Sequence, residues 1–351
     1  MGMIKLPEKS VKFFKDNIDE IFSSGNLAEG TWNEKLSEYT CNMVKSESAV
    51  PTNSNGAGLV ALLNYFNHYH GRNQVMIQTN TMYGVKTMVG AGSCELAGFI
   101  DCQISSLMPC LEDFKESISL FRGDRKKLII LLSHIGGIIN PDIEEIASIC
   151  KNENIVLLED CAHSFGATLN GKHSGMFGDA GVYSFYATKA IPAGEGGVVV
   201  TNDLELGNII SHYAMYDRFD QKLEIGNNIR ISEVQALLTY SIVKEWDSII
   251  ENKKAIAQRY IEICSNNNIK YLDQDVENQC GNYYKFILLS ERDDVEYYYD
   301  NIKTRTSPVY DYSIGKENIV AKHHICLPIW YNQNPEVTDK ACNELSQFRS
   351  S

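Results

Sequence analysis

The chain has 351 residues, a length suited to a large domain joined to a smaller one, and an ordinary globular hydrophobic share of 44%. Its net charge of -13 disfavours a nucleic-acid partner, because no basic cluster offsets repulsion from a phosphate backbone. No apolar run is long enough to span a bilayer, and the start Met1-Gly2-Met3-Ile4-Lys5 lacks the parts of a signal peptide, so a cytoplasmic protein without membrane contact is expected.

In chain order, an amino-terminal helix over 8–22 comes first and is expected to pack on the smaller domain. Pro51 and Asn53-Ser54-Asn55-Gly56 are start signals for a helix over Asn55–His70, where Leu59, Leu62, Leu63 and Phe66 fall at helical spacing. Strands are expected at 74–79, 96–101, 127–133, 155–160, 181–184 and 197–201, several of them apolar enough to be buried on both faces. A helix over 141–152 sets Ile143, Ile146 and Ile149 along one side. This alternation is that of an α/β sheet with crossover helices.

From Ile231 a long helical pattern runs through Trp246 to about Cys264 and carries the chain out of the large domain. A strand over 283–289, a helix over 293–301 and a last helix over 337–348 make a smaller α+β domain. The expected boundaries are 25–245 for the large domain and 246–351 for the small one, with residues 1–24 packed on the latter. There are no internal repeats, and the polar turn Ser265-Asn266-Asn267-Asn268 is the nearest thing to a linker.

Ten cysteines stand singly, with no Cys-x-x-Cys pair, which excludes the usual zinc and thioredoxin spacings. Reduced thiols buried as small hydrophobes are expected of most. His68-Tyr69-His70 and His323-His324 have no third ligand spaced to join them, so no metal site is expected.

The chemistry is concentrated between residues 157 and 197. Leu157-Leu158-Glu159-Asp160-Cys161-Ala162-His163 ends an apolar strand in a carboxylate, at the strand end where open α/β sheets bind ligands. Asp160 alone also suits a helix cap. His163 follows three residues later and is expected to face the same pocket. Lys189, in Tyr186-Ala187-Thr188-Lys189-Ala190, has aromatic and small neighbours that desolvate its amine, which makes it a usable nucleophile and base. The turn Gly194-Glu195-Gly196-Gly197 folds the backbone back toward the site. An acid, a histidine and a lysine in this order suit pyridoxal 5'-phosphate: the lysine forms the Schiff base with the aldehyde, and the acid keeps the pyridine nitrogen protonated. Ser54-Asn55-Gly56-Ala57-Gly58 places small residues at a helix start that favours an anion, and Ser184 can add a hydroxyl.

These segments resemble the DegT/DnrJ/EryC1/StrS family of pyridoxal-phosphate sugar aminotransferases. The resemblance begins at Ser24-Gly25 to Gly30 and continues through Ser54-Asn55-Gly56 and His134-Ile135-Gly136-Gly137. It runs closely from Glu159 to Asp203 and ends at Gly226-Asn227-Asn228-Ile229-Arg230. It implies the fold-type I transferase architecture. It also implies that Lys189 is the Schiff-base lysine and proton shuttle, that Asp160 pairs with the pyridine nitrogen, and that His163 lies near the ring and its phenolic oxygen. Gly56 and Ala57 offer backbone N–H groups to the phosphate, with Ser184 beside them. Tyr83, or Met82 in its place, stacks on the ring. Asn228 reaches the partner's phosphate site, so a homodimer with shared active sites is implied.

The function implied is transfer of an amino group from an amino acid, by analogy glutamate, to a nucleotide-linked keto-sugar in surface-polysaccharide or glycoside biosynthesis. The resemblance thins at Thr306-Ser307-Pro308-Val309-Tyr310, and the connection from Asp217 to Gly226 is short. A small phosphorylated ketone is therefore the alternative acceptor. A non-catalytic binding protein on the same fold is the other alternative, which the retention of Asp160 and Lys189 opposes.

Overall fold

The apolar runs of the sequence become neighbouring strands of one sheet. In the computed structural model, which describes residues 4–216, 224–276, 278–290, 295–310 and 319–348, the chain opens with α1 (Glu8–Ser24), α2 (Thr31–Val44), β1 (Ser48–Thr52) and α3 (Asn55–His70). Next come β2 (Gln74–Gln78), α4 (Tyr83–Ala91), β3 (Glu95–Ile100), α5 (Leu111–Leu120), β4 (Leu128–Ser133), α6 (Ile143–Asn152) and β5 (Val156–Cys161). Short strands β6 (Thr168–Leu169) and β7 (Lys172–His173) precede β8 (Ala180–Ser184), β9 (Gly197–Thr201) and α7 (Leu204–Ala214). The remainder holds α8 (Glu233–Val243), α9 (Trp246–Asn266), β10 (Asp275–Val276), β11 (Gln279–Cys280) and β12 (Phe286–Leu289). It ends with α10 (Val295–Asn301), β13 (His324–Leu327) and α11 (Pro335–Gln347). Of the sequence features read above, residues 1–3, Asp217 and the first residues of the 293–301 helix lie outside the described residues.

Seven strands form a mixed sheet in the order β1-β9-β8-β5-β4-β2-β3. The pairs from β8 to β3 are parallel, while β9 joins β8 and β1 joins β9 antiparallel. Every residue of β4, β5, β8 and β9 is buried, as in a sheet covered on both faces. Parallel register brings the strand ends to one edge, where Ser133 of β4 lies opposite Asp160 of β5.

Four local readings change. Pro51, read as part of a helix start, lies inside β1, opposite Val198. β1 pairs only with β9, and an edge strand tolerates a residue without an N–H. The long helical pattern breaks into α8 and α9 at Lys244-Glu245, where Trp246 meets Phe165 edge-on at 5.6 Å. The expected 283–289 strand starts later, because Tyr283 sits at φ 49, outside the extended region.

The fourth change concerns α1, expected on the smaller domain. It packs against α8 instead, with Phe13 set 5.9 Å from Trp32 of α2 and 6.0 Å from Tyr240 of α8. Its apolar face, Phe13, Phe14, Ile18 and Ile21, thus joins the cluster that also covers β8 and β9.

Two more apolar clusters complete the cover of the sheet. A separate cluster joins Tyr260 of α9, Phe286, Leu327 and Leu345. Between them, Ile135 and Ile138 from the turn after β4 pack with Leu272, Ile287 and Cys326. That contact ties the carboxyl edge of the parallel strands to the carboxy-terminal elements. Among the described residues no helix is long and apolar enough to cross a membrane.

Candidate active site

At the carboxyl edge of the parallel strands lies a cavity of about 700 Å³ whose lining includes Gly56, Met82, Asp160, His163, Ser184 and Lys189. Asp160, only 3% exposed, is held by hydrogen bonds on both oxygens. Its Oδ1 accepts from Asn55 Nδ2 and from the Ala162 N–H, each at 3.1 Å, and its Oδ2 accepts from Ser133 Oγ at 3.0 Å. Ser133 spends its single proton there, so Thr81 Oγ1, 2.7 Å away, donates to it. Asn55 is fixed in turn by a bond from the same amide to the Val182 carbonyl at 2.8 Å. The carboxylate is therefore aimed by three elements, β4, β5 and the first turn of α3.

Lys189 follows β8 in a turn closed by its own N–H to the Tyr186 carbonyl. The side chain is half-buried, with Nζ 5.1 Å from the centre of the Tyr284 ring. Desolvation pulls the amine down to about 8; the Asp160 charge opposes that shift and Lys285 adds to it. An amine in that range keeps a far larger free-base fraction near neutrality than an ordinary lysine, and the free base is the form that attacks an aldehyde. The glycine turn is needed for geometry: a side chain on Gly197 would stand 2.6 Å from the Asn55 nitrogen, so only glycine lets β9 pass the start of α3.

His163 is buried, its ring 4.3 Å from Tyr284 and stacked at 5.2 Å on Tyr310. Burial, and then the nearby Lys189 and Lys285, push its pKa well below the usual range, so the imidazole is neutral. The Gly136 N–H points at Nδ1 from 3.5 Å, which leaves the proton on Nε2 to be donated to Tyr310 Oη at 2.8 Å.

Gly56 and Ser184 line the cavity as read from the sequence. Ala57 does not: its N–H donates to Ser54 Oγ at 3.1 Å, because Ser54 caps α3 and consumes that donor. Tyr83 is likewise outside, 49% exposed on the first turn of α4. Met82, the extended residue before that helix, lines the cavity, as does Met88. Asn228 is exposed and away from this chain's own cavity, its carbonyl accepting from Asn53 Nδ2 at 3.3 Å.

The far wall is made by Tyr284, Lys285, Tyr310 and Trp330; Tyr310 ends the stretch where the resemblance thins, and the sequence reading missed the other three. Asn282 places the first two. Its Nδ2 donates to the His163 carbonyl at 2.8 Å and the Phe165 carbonyl at 2.9 Å, while its Oδ1 accepts from the Tyr284 N–H. The Gly136-Gly137 turn receives this segment: the Asn282 and Lys285 N–H groups donate to the Gly137 and Gly136 carbonyls. A side chain on Gly137 would meet Asn282 Oδ1 at 2.5 Å. The available signal was the His134-Ile135-Gly136-Gly137 motif itself, which marks a backbone that another segment approaches closely.

Among the described residues, one group has metal-ligand composition, His134, Glu159 and Cys161. Its donors are already engaged. Glu159 accepts from His134 Nε2 and from the N–H groups of Gly175, Phe177 and Gly178, which makes it the anchor of the loop before β8. His323 and His324 are buried structural residues, His324 Nε2 accepting from the Val309 N–H at 2.8 Å.

A mostly parallel sheet carrying a buried, triply bonded carboxylate and a lowered lysine amine in one cavity defines a fold-type I pyridoxal-phosphate transferase. Residues 8–323 match the DegT/DnrJ/EryC1/StrS aminotransferase family, and the chain belongs to it. It is a pyridoxal-phosphate-dependent aminotransferase. It is similar to GDP-perosamine synthase of Escherichia coli O157:H7, 28% identical over 274 residues that cover 72% of each chain. The Vibrio cholerae GDP-perosamine synthase is 25% identical over 96% of this chain and 95% of its own. Among solved structures, Helicobacter pylori PseC, an aminotransferase involved in the biosynthesis of pseudoaminic acid, superposes with a TM-score of 0.81 over 98% of this chain and 97% of its own, at 20% identity.

Proposed function

We propose that the chain moves an amino group from an amino acid, with glutamate as donor, to a nucleotide-linked keto-sugar. The observation that carries the reading is the pairing of Asp160 and Lys189 in one cavity whose volume, about 700 Å³, accommodates a substrate larger than a triose phosphate. The GDP-perosamine synthases give the acceptor class its support. Bound pyridoxal phosphate supplies an aldehyde and an electron-withdrawing ring. The donor set suits it: the amine of Lys189 for the aldehyde, the carboxylate of Asp160 for the ring nitrogen, and Gly56 on the first turn of α3 with Ser184 for the phosphate.

Lys189 then acts as general base and acid, taking the substrate proton from one carbon and returning it two bonds away, on the far side of the amino nitrogen. Asp160 keeps its charge aimed at one point. His163, held neutral, lines the same cavity as Asp160 without adding a competing cation. Asn228 is the residue we assign to the partner's phosphate in a homodimer, consistent with its exposure on the single chain. Mixing inactive Lys189→Ala and Asn228→Ala proteins should restore activity if each supplies what the other lacks. Subunit exchange without recovery would remove Asn228 from the partner's site.

The acceptor is tested with enzyme whose cofactor has been converted to the amino form by glutamate. Nucleotide-linked keto-sugars should restore the visible band of the aldehyde form. Response to small keto-phosphates alone would establish the smaller acceptor instead.

A further inference from the structure

Behind the Lys189 turn lies a second, small cavity of about 40 Å³, walled by Thr188, Lys189 and Tyr284 and by Lys253 of α9. It shares Lys189, Tyr284 and Trp330 with the main cavity, and so forms its annex. Lys253 lies on the buried side of α9 between Ile249 and Ala257, only 4% exposed. A lysine so placed is ordinarily paired with a carboxylate. Among the described residues Lys253 has no carboxylate, ion-pair or hydrogen-bond partner. The annex is lined by three lysines, Lys5, Lys189 and Lys253, and by no acidic residue.

We propose that Lys253 binds a carboxylate of the amino donor, which enters this annex beside Lys189. The size of the annex selects the ligand. About 40 Å³ holds a water or the head of a carboxylate, and excludes a diphosphate. Position selects it too, since the donor carbon that loses its proton must lie at Lys189, one bond from the α-carboxylate and three from the side-chain carboxylate of glutamate. Burial, with Lys285 nearby, lowers the Lys253 amine to about 7, so an arriving anion favours the charge that burial opposes. The inference rests on the donor half of the function proposed above.

The test compares wild-type holoenzyme with Lys253→Met and Lys253→Arg. The visible band of bound cofactor in each reports an intact site. Lys253→Met should raise the half-saturating glutamate concentration tenfold or more with a smaller change in the limiting rate. It should also weaken 2-oxoglutarate binding to a similar degree in calorimetry and abolish the Lys253 share of proton uptake at pH 8. Lys253→Arg should recover most of the binding. If alanine suffers alike, the bound group is the α-carboxylate; if alanine is spared, it is the side-chain carboxylate. Both results sustain the proposal. Should Lys253→Met lack the band, Lys253→Gln takes its place.

Unchanged donor binding in a variant that holds cofactor overturns the assignment, as does a defect confined to the keto-sugar half. Failure of glutamate to convert the wild-type band removes the donor reading, and this assignment with it. The two failures are separated by the wild-type control.

Discussion

The two walls of the candidate active-site cavity are built by different means. The sheet wall, with Asp160, Ser133, Ser184 and the Lys189 turn, inherits its geometry from strand register: Ser133 and Asp160 face each other because β4 and β5 pair there. The opposite wall, with Tyr284, Lys285 and Tyr310, belongs to no strand at the residues that matter. It is held by Asn282, by the Gly136-Gly137 turn, and by Tyr283 and Tyr310 in the left-handed region at φ 49 and 56. Backbone hydrogen bonds repeated along a sheet tolerate loss of one contact, whereas a clasp made by one side chain does not. Chemistry that must not shift is therefore placed on the sheet, and the opposite wall is left to shape what enters.

Substitutions on the two walls should separate accordingly. Lys189→Ala should abolish transamination, a loss of roughly 10³-fold or more, while cofactor still binds but is removed by dialysis. Retained turnover would show that another base serves. Asp160→Asn should slow both halves of the reaction by about 10²-fold without changing thermal stability as much, since an amide cannot balance a ring cation. Near-normal rates in stopped-flow spectra would remove Asp160 from its assigned role.

The clasp is tested by Asn282→Ala, which strands the buried carbonyls of His163 and Phe165. It should cost about 2–3 kcal/mol in denaturant unfolding and lower activity through displaced Tyr284. Tyr310→Phe removes only the hydroxyl that accepts from His163, and a rate loss of roughly tenfold or less is expected, with fold intact by circular dichroism. A loss as large as that of Asp160→Asn would erase the distinction between the walls.

The smallest effect is a pH dependence. Lys253 has a folded pKa of about 7, below that of a free lysine, so folding disfavours its charge. The penalty is full below pH 7 and is relieved as pH rises toward the ordinary lysine value near 10. The cofactor-free protein should accordingly gain stability over that window, and Lys253→Met should be more stable by about 1–2 kcal/mol at pH 7 with a flatter profile. An unchanged profile in the variant would place the amine in contact with water.

The sequence by itself determined the sheet and the near wall. Apolar runs marked β2, β4, β5, β8 and β9, and Asp160, His163, Ser184 and Lys189 were read from strand ends and turns, because short-range order places each beside its neighbours in the chain. Even there, side-chain direction escaped it. Ser54 takes the Ala57 N–H that the resemblance offers to the phosphate, and of Tyr83 and Met82, both open for the stacking position, Met82 lines the cavity while Tyr83 stands exposed on the first turn of α4. The tertiary structure alone decided the far wall and the seat of α1. Asn282 meets His163 across 119 residues, Tyr310 meets it across 147, and Lys253 reaches the annex from the buried face of a helix that otherwise reads as amphipathic. No periodicity encodes such meetings; they exist only once the Gly136-Gly137 turn and the Leu272, Ile287 and Cys326 cluster bring the two ends of the chain together.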